Sequence, residues 1–199
     1  MRTSRLTAIG VAVFLGATVT ACGNGVAPAS EPSAVATAAT AEQPSELTLD
    51  TVNWALSTLQ EQTGAPLEEI QLKSLMISPG GSATFDALDP AKPTELNQYV
   101  AYPDGRRLVH PYDYGGADNY EALTATLFGA HEVSPETLVA AWQDSFDRVQ
   151  GERSEMSASG VSASREDETG PVQLSIVNGP QRDRQSVYYD ANGQFLRTS

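Results

Sequence analysis

Two histidines, one cysteine and a scatter of aspartates are the residues of this 199-residue chain that could do chemistry. A serine nucleophile would need His110 or His131 as its base, and neither stands beside a G-x-S-x-G turn. Cysteine and histidine are too few to cage a transition metal. Asp86, Asp89, Asp104, Asp113 and Asp118 offer the oxygens that calcium takes, but not at the spacing of an EF-hand loop, and they read as solvated turn acids. Gly80-Gly81 lacks the Lys and hydroxyl residue of a phosphate loop and reads as a turn. The expectation is a non-enzymatic protein with no catalytic residue, metal or cofactor. A carboxylate-dependent hydrolase stays open as an alternative, because the spacing of such a pair is spatial and the sequence cannot mark it.

Four of the seven tyrosines, Tyr99, Tyr102, Tyr112 and Tyr114, fall within residues 99–114 among Pro, Asp and Gly. Tyrosine offers a large contact area at little rotamer cost and a hydroxyl for a partner, so the four are candidate partner-binding residues. The competing reading places some of these rings at the edge of the core, since Tyr102, Val100 and Gln98 share one face of a strand.

The start of the chain carries a different kind of chemistry. Arg2 and Arg5 precede an uncharged, largely apolar run from Leu6 to Thr20, and Ala21 is a small residue where a cleavage site belongs. The run falls short of the roughly 20 apolar residues of a membrane span. Val19-Thr20-Ala21-Cys22 resembles the lipobox of bacterial lipoproteins, in which an aliphatic and two small residues precede an acceptor cysteine. The resemblance implies that residues 1–21 are removed, that Cys22 receives a diacylglyceryl thioether and becomes an N-acylated N-terminus, and that the protein is held on a bacterial cell membrane with its domain on the non-cytoplasmic side. Cys22 is the sole cysteine, so no internal disulfide competes for it. Two or more acyl chains, at about 0.8 kcal/mol per buried CH₂, anchor a protein stably.

Cleavage at that point removes two arginines and no acid, taking the formal charge from −13 to −15. Such a surface repels nucleic acid and anionic headgroups, so the membrane is expected as a partner through the lipid alone. Charge by itself names no other partner, and the expectation of an envelope protein partner rests on the fold resemblance below. From Gly23 to Glu46 the chain is mostly Ala, Ser, Thr, Pro and Glu, with no aromatic residue and only two Val, a composition that reads as a disordered tether spanning residues 22–46. Its coil dimension is on the order of 25–30 Å.

The remaining residues are read as a duplicated unit. At an offset of 88 the only two tryptophans, Trp54 and Trp142, superpose, as do the turns Asp104-Gly105 and Asn192-Gly193. Each copy opens with a helix. Thr48 caps the first, with Leu49, Val52, Leu56 and Leu59 on one face and Gly64 and Pro66 as stops. Ser134 caps the second, with Pro135 in its first turn, Leu138, Val139, Trp142, Phe146 and Val149 at helical spacing, and Gly151 beyond. Strands are expected over residues 70–77, 83–88 and 96–102 in the first copy, and over 156–164, 171–177, 186–189 and 194–197 in the second. Repeat 1 is placed at 47–108, an inter-repeat stretch at 109–133 and repeat 2 at 134–199. A short helix in that stretch, capped by Asp118, is expected to dock beside the second main helix.

The fold class is therefore α+β, two tandem helix-then-antiparallel-meander units with each helix on a three- to four-stranded sheet. Element order, length and duplication resemble the PepSY-like and β-lactamase-inhibitor-protein-like exported folds. The resemblance implies a protein-binding or inhibitory role in the cell envelope through a sheet face, and it carries over no functional residue. A carrier of an apolar ligand held between helix and sheet is the second alternative.

Overall fold

The computed structural model describes residues 46–116, 119–165 and 170–199. The export signal, Cys22, the tether as far as Ser45 and Asp118 lie outside the described residues. Helix α1 (Leu49–Thr63) leads into β1 (Gln71–Ile77), β2 (Ala83–Asp89), β3 (Lys92–Ala101) and β4 (Arg107–Tyr112). Helix α2 (Tyr120–Ala125) and the two-residue β5 (Phe128–Gly129) follow, then α3 (Pro135–Arg148) with β6 (Val161–Arg165), β7 (Val172–Asn178), β8 (Gln185–Asp190) and β9 (Phe195–Thr198). The α+β class stands.

The strands form one antiparallel sheet in the order β4-β3-β2-β1-β6-β7-β8-β9, with β5 paired off this path to β1. Two meanders thus meet along a single seam, where Leu75 faces Ala163 and Ile77 faces Val161. The long helices start and stop for local reasons. Thr48 Oγ1 accepts the Thr51 N–H at 3.2 Å, and Gly64 ends α1 in the left-handed region at φ 69. Ser134 Oγ accepts the Thr137 N–H at 3.1 Å with Pro135 opening α3.

Both helices lie on one face of the sheet. Val52, Leu56 and Leu59 of α1 and Leu138 and Trp142 of α3 are buried in one core with Leu72, Leu75, Ile77, Phe85, Val161, Leu174, Ile176 and Tyr189. Alternate strand positions feed that core, as a pleated strand requires.

Four expectations change. A strand not expected from the sequence, β4, runs from Arg107 to Tyr112; all six of its residues are exposed, and Pro111 sits on this edge strand, the place in a sheet that tolerates it. Strand β3 begins four residues early, at Lys92, as part of a longer hairpin. The stretch expected as a strand over 156–164 is regular only from Val161, after a turn of 3₁₀ helix at Arg153–Glu155. Finally, α2 does not dock on α3. Its Leu123 packs with Leu88 and Leu96, which point to the face opposite α1 and α3, and the Tyr120 hydroxyl donates to Pro93 O at 2.9 Å. Between α2 and α3 come β5 and a 3₁₀ turn at Ala130–Glu132, not a helix-turn-helix corner.

Candidate functional site

Among the described residues, α2 covers one corner of the sheet face opposite α1 and α3, and the strand register sets out what that face presents. One row crosses all eight consecutive strands: Leu108, Val100, Thr84, Met76, Ser162, Ser175, Tyr188 and Arg197. The next row runs His110, Gln98, Asp86, Ser74, Ser164, Gln173 and Asp190. Its centre is tied together: Asp86 accepts from Ser74 Oγ at 2.8 Å and from Gln98 Nε2 at 3.0 Å, and Arg197 Nη1 donates to Gln173 Oε1 at 3.3 Å. A floor of short hydroxyl side chains thus has exposed Met76 set within it and exposed Leu108, Tyr112 and Val177 around it. At the two flanks a cation lies over a ring, Lys73 at 4.8 Å from the centroid of Tyr112 and Arg197 at 4.1 Å from that of Tyr188.

The four candidate tyrosines do not form one surface. Tyr99 is 3% exposed and points into the main core, so it leaves the candidate set. Tyr102 lies beyond β3 at the hairpin turn, with the Arg106 guanidinium 4.4 Å from its ring centroid. Tyr112 and Tyr114 stand at the other end of that hairpin. Tyr112 is exposed on the helix-free face, whereas Tyr114 is half-buried against α2 and donates its hydroxyl to Thr94 O at 2.8 Å. An antiparallel hairpin separates residues that are neighbours in sequence by the length of its strands.

The four acids weighed as calcium ligands that lie within the described residues have local partners. Besides Asp86, Asp89 caps the Ala91 N–H at 2.9 Å, Asp104 pairs with Arg106 at 2.7 Å, and Asp113 accepts the Gly115 N–H at 2.8 Å. These are turn and ladder roles. His110 lies on β4 and His131 in the 3₁₀ turn after β5, both exposed and well separated in the chain.

On the helix side, α3 is locked to the sheet by a small polar cluster. The buried Tyr189 donates its hydroxyl to Asp144 Oδ2 at 3.0 Å, and Arg148 grips the same carboxylate at 2.8 and 3.2 Å. The guanidinium holds Asp144 below the usual carboxylate range. Burial, and then the bond to Asp144, push the Tyr189 phenol above its ordinary value of 10.0. Burial likewise raises Tyr99. A phenol kept neutral in the fold but free to ionise when unfolded gives stability that is complete below about pH 10 and is lost as the pH rises toward the folded value. The urea midpoint is therefore expected to stay flat through neutral pH and to fall above about pH 10, with a shallower fall in Tyr189→Phe. Equal slopes in the two proteins would clear the phenol of this role.

Compared with known proteins, the chain matches no family model, no curated protein and no solved structure.

Proposed function

We propose that this chain is a lipid-anchored, non-enzymatic protein of the bacterial cell envelope whose domain is a protein-binding or inhibitory module working through the helix-free sheet face. The observation that carries the reading is the face itself: a central patch of Thr84, Ser74, Ser162, Ser164 and Ser175 beside the hydrogen-bonded Asp86, with exposed Met76 set within it and exposed Leu108, Tyr112 and Val177 around it. A rigid backbone platform with apolar anchors within it and at its margins costs a partner little ordering entropy. We also read the two halves as copies of one unit. In support, helix-then-four-strand order occurs twice, β2 and β7 stand 89 residues apart along their whole lengths, and the turns at Gly105 and Gly193 carry φ of 85 and 81 in equivalent hairpins.

The test is made in membrane fractions of cells producing the full chain. The wild type is expected to sediment with the membrane and cross-link to one stoichiometric partner. Cys22→Ser should move the chain to the soluble fraction. Met76→Glu should leave it on the membrane, fold intact by circular dichroism, and weaken the partner complex at least about tenfold, the scale of one buried anchor. A complex indifferent to Met76→Glu and to Ser175→Arg would remove the face from the site.

A further inference from the structure

The two meanders part at one end of their seam. Beyond Ile77 and Val161 the β1–β2 turn, Ser78-Pro79-Gly80, bends away from the segment Met156–Gly160, and a groove of about 750 Å³ opens between them. Trp142, Phe146, Met76 and Met156 supply its apolar lining.

The segment on its far side behaves as a strand with one free edge. The Ser157 and Ser159 N–H groups donate to Gly179 O at 3.2 Å and Val177 O at 2.7 Å. In an extended chain alternate residues turn their N–H and C=O to opposite sides, so Ala158 presents both toward the groove. Among the described residues neither group has a hydrogen-bond partner. Beside it, Arg153 lays its guanidinium 4.4 Å from the centroid of Phe146 and makes no ion pair among the described residues. Glu46 in this groove and Asp144 and Asp147 in the pocket that adjoins it are the carboxylates lining the space around Arg153, and none of them forms an ion pair with its guanidinium.

We infer that this groove takes an extended peptide segment of a partner protein, which adds as a short strand on Ala158, sets an apolar side chain on Phe146 and Met156 beside the buried Trp142, and places a Glu or Asp carboxylate on Arg153. Strand addition fits because a free backbone donor and acceptor on one residue are met together by an extended chain. The acidic side chain fits because a planar guanidinium already stacked on a ring still offers its edge for a two-point bond to a carboxylate. This site shares Met76 with the helix-free face but none of its tyrosines or hydroxyl side chains, and Arg153 belongs to the groove alone, so the Arg153→Gln result stands whether or not that face binds a protein.

The probe is the synthetic peptide acetyl-Ser-Ile-Glu-Ile-Ser-amide, titrated into the full-length chain carrying Trp54→Phe, so that Trp142 alone reports. Binding is expected with Kd on the order of 0.1–1 mM, with a change in Trp142 emission and a shift of the Ala158 amide resonance. Replacing the Glu of the probe by Gln, or Arg153 by Gln in the protein, should each weaken binding about tenfold, and combining the two should cost little more than either. Lys92→Ala, at the exposed β2–β3 hairpin, should bind as the parent does. No emission change and no Ala158 shift at millimolar probe would overturn the inference, as would equal affinity for the Glu and Gln probes. Self-association of the chain that the probe reverses would put a second copy in the groove and overturn the assignment to a partner.

Discussion

Replacing Gly160 with alanine is expected to destabilise the domain by about 3 kcal/mol or more, the upper end of what overpacking costs. Gly160 is buried at the start of β6, where that strand meets β1. A Cβ there would stand 2.7 Å from Ile77 C and 2.9 Å from Ser78 Cα, and closer still to the Ile77 carbonyl oxygen. All three are backbone atoms, so no side chain can swing aside to make room. Among the described residues the β1–β6 pairing is the only strand pairing that joins the two meanders. Relief must come from parting that seam or slipping its register, and a one-residue slip would turn Val161 and Ala163 out of the core. Chain entropy pulls the other way, since Gly→Ala stiffens the unfolded state by about 0.4–1 kcal/mol, so the sign of the result is informative. Gly64→Ala is the control: it sits in open space at φ 69, and only its left-handed backbone should cost, about 1 kcal/mol. Urea unfolding of the three proteins measures this. A Gly160→Ala midpoint within 0.5 kcal/mol of the parent, roughly the effect of a neutral surface change, would show that the seam can yield.

That seam is where the sequence was least readable. Helix caps, the apolar stripes of α1 and α3 and the hairpin turns at Gly105 and Gly193 are local signals, and each is found where the residues put it. Strand β4 carries no such signal, because an edge strand exposed at all six positions has no alternation to detect. The two residues of β5 are too few to pattern. The stripe of α2 predicts a buried face but not its partner, and the choice between α3 and the β2–β3 hairpin is settled by Leu88 and Leu96 on the opposite side of the sheet. The candidate face has the same origin. Met76, Ser162, Ser175 and Tyr188 come from four strands spread over more than half the chain, and only pairing register brings them into one row. The outward positions of β7 and β8 carried the one available hint, a polar or exposed residue at every second place.

Trp142→Ala is the second large effect, with an expected loss of about 3–5 kcal/mol. The two tryptophans coincide at an offset of 88, which taken alone assigns them one role. Their helices disagree. Trp54 lies six residues beyond its cap and Trp142 eight, a difference of about 200° of helical rotation at roughly 100° per residue. Trp142 is 3% exposed, donates its indole N–H to Ser159 O at 2.8 Å and meets Phe146 edge-on with centroids 5.0 Å apart, while Trp54 is only half-buried against the core. Truncating Trp142 therefore opens a cavity beneath α3 and frees the carbonyl that ties the Met156–Gly160 segment to the helix. Trp54→Ala should cost about 1–2 kcal/mol, in proportion to its smaller burial. Trp142→Phe separates the two contributions at Trp142: it keeps most of the ring and leaves Ser159 O without its donor, for an expected 1–3 kcal/mol. Urea unfolding gives the three values, and the emission of Trp54→Phe, with Trp142 as its only indole, should lie to the blue of the emission of Trp142→Phe. Equal losses for the two alanine variants would mean that the sequence offset, and not the count from each cap, tracks where the rings sit. The duplication we propose would then extend to the packing of each helix on its own meander, and Trp54 would hold its half of the sheet as Trp142 holds the other.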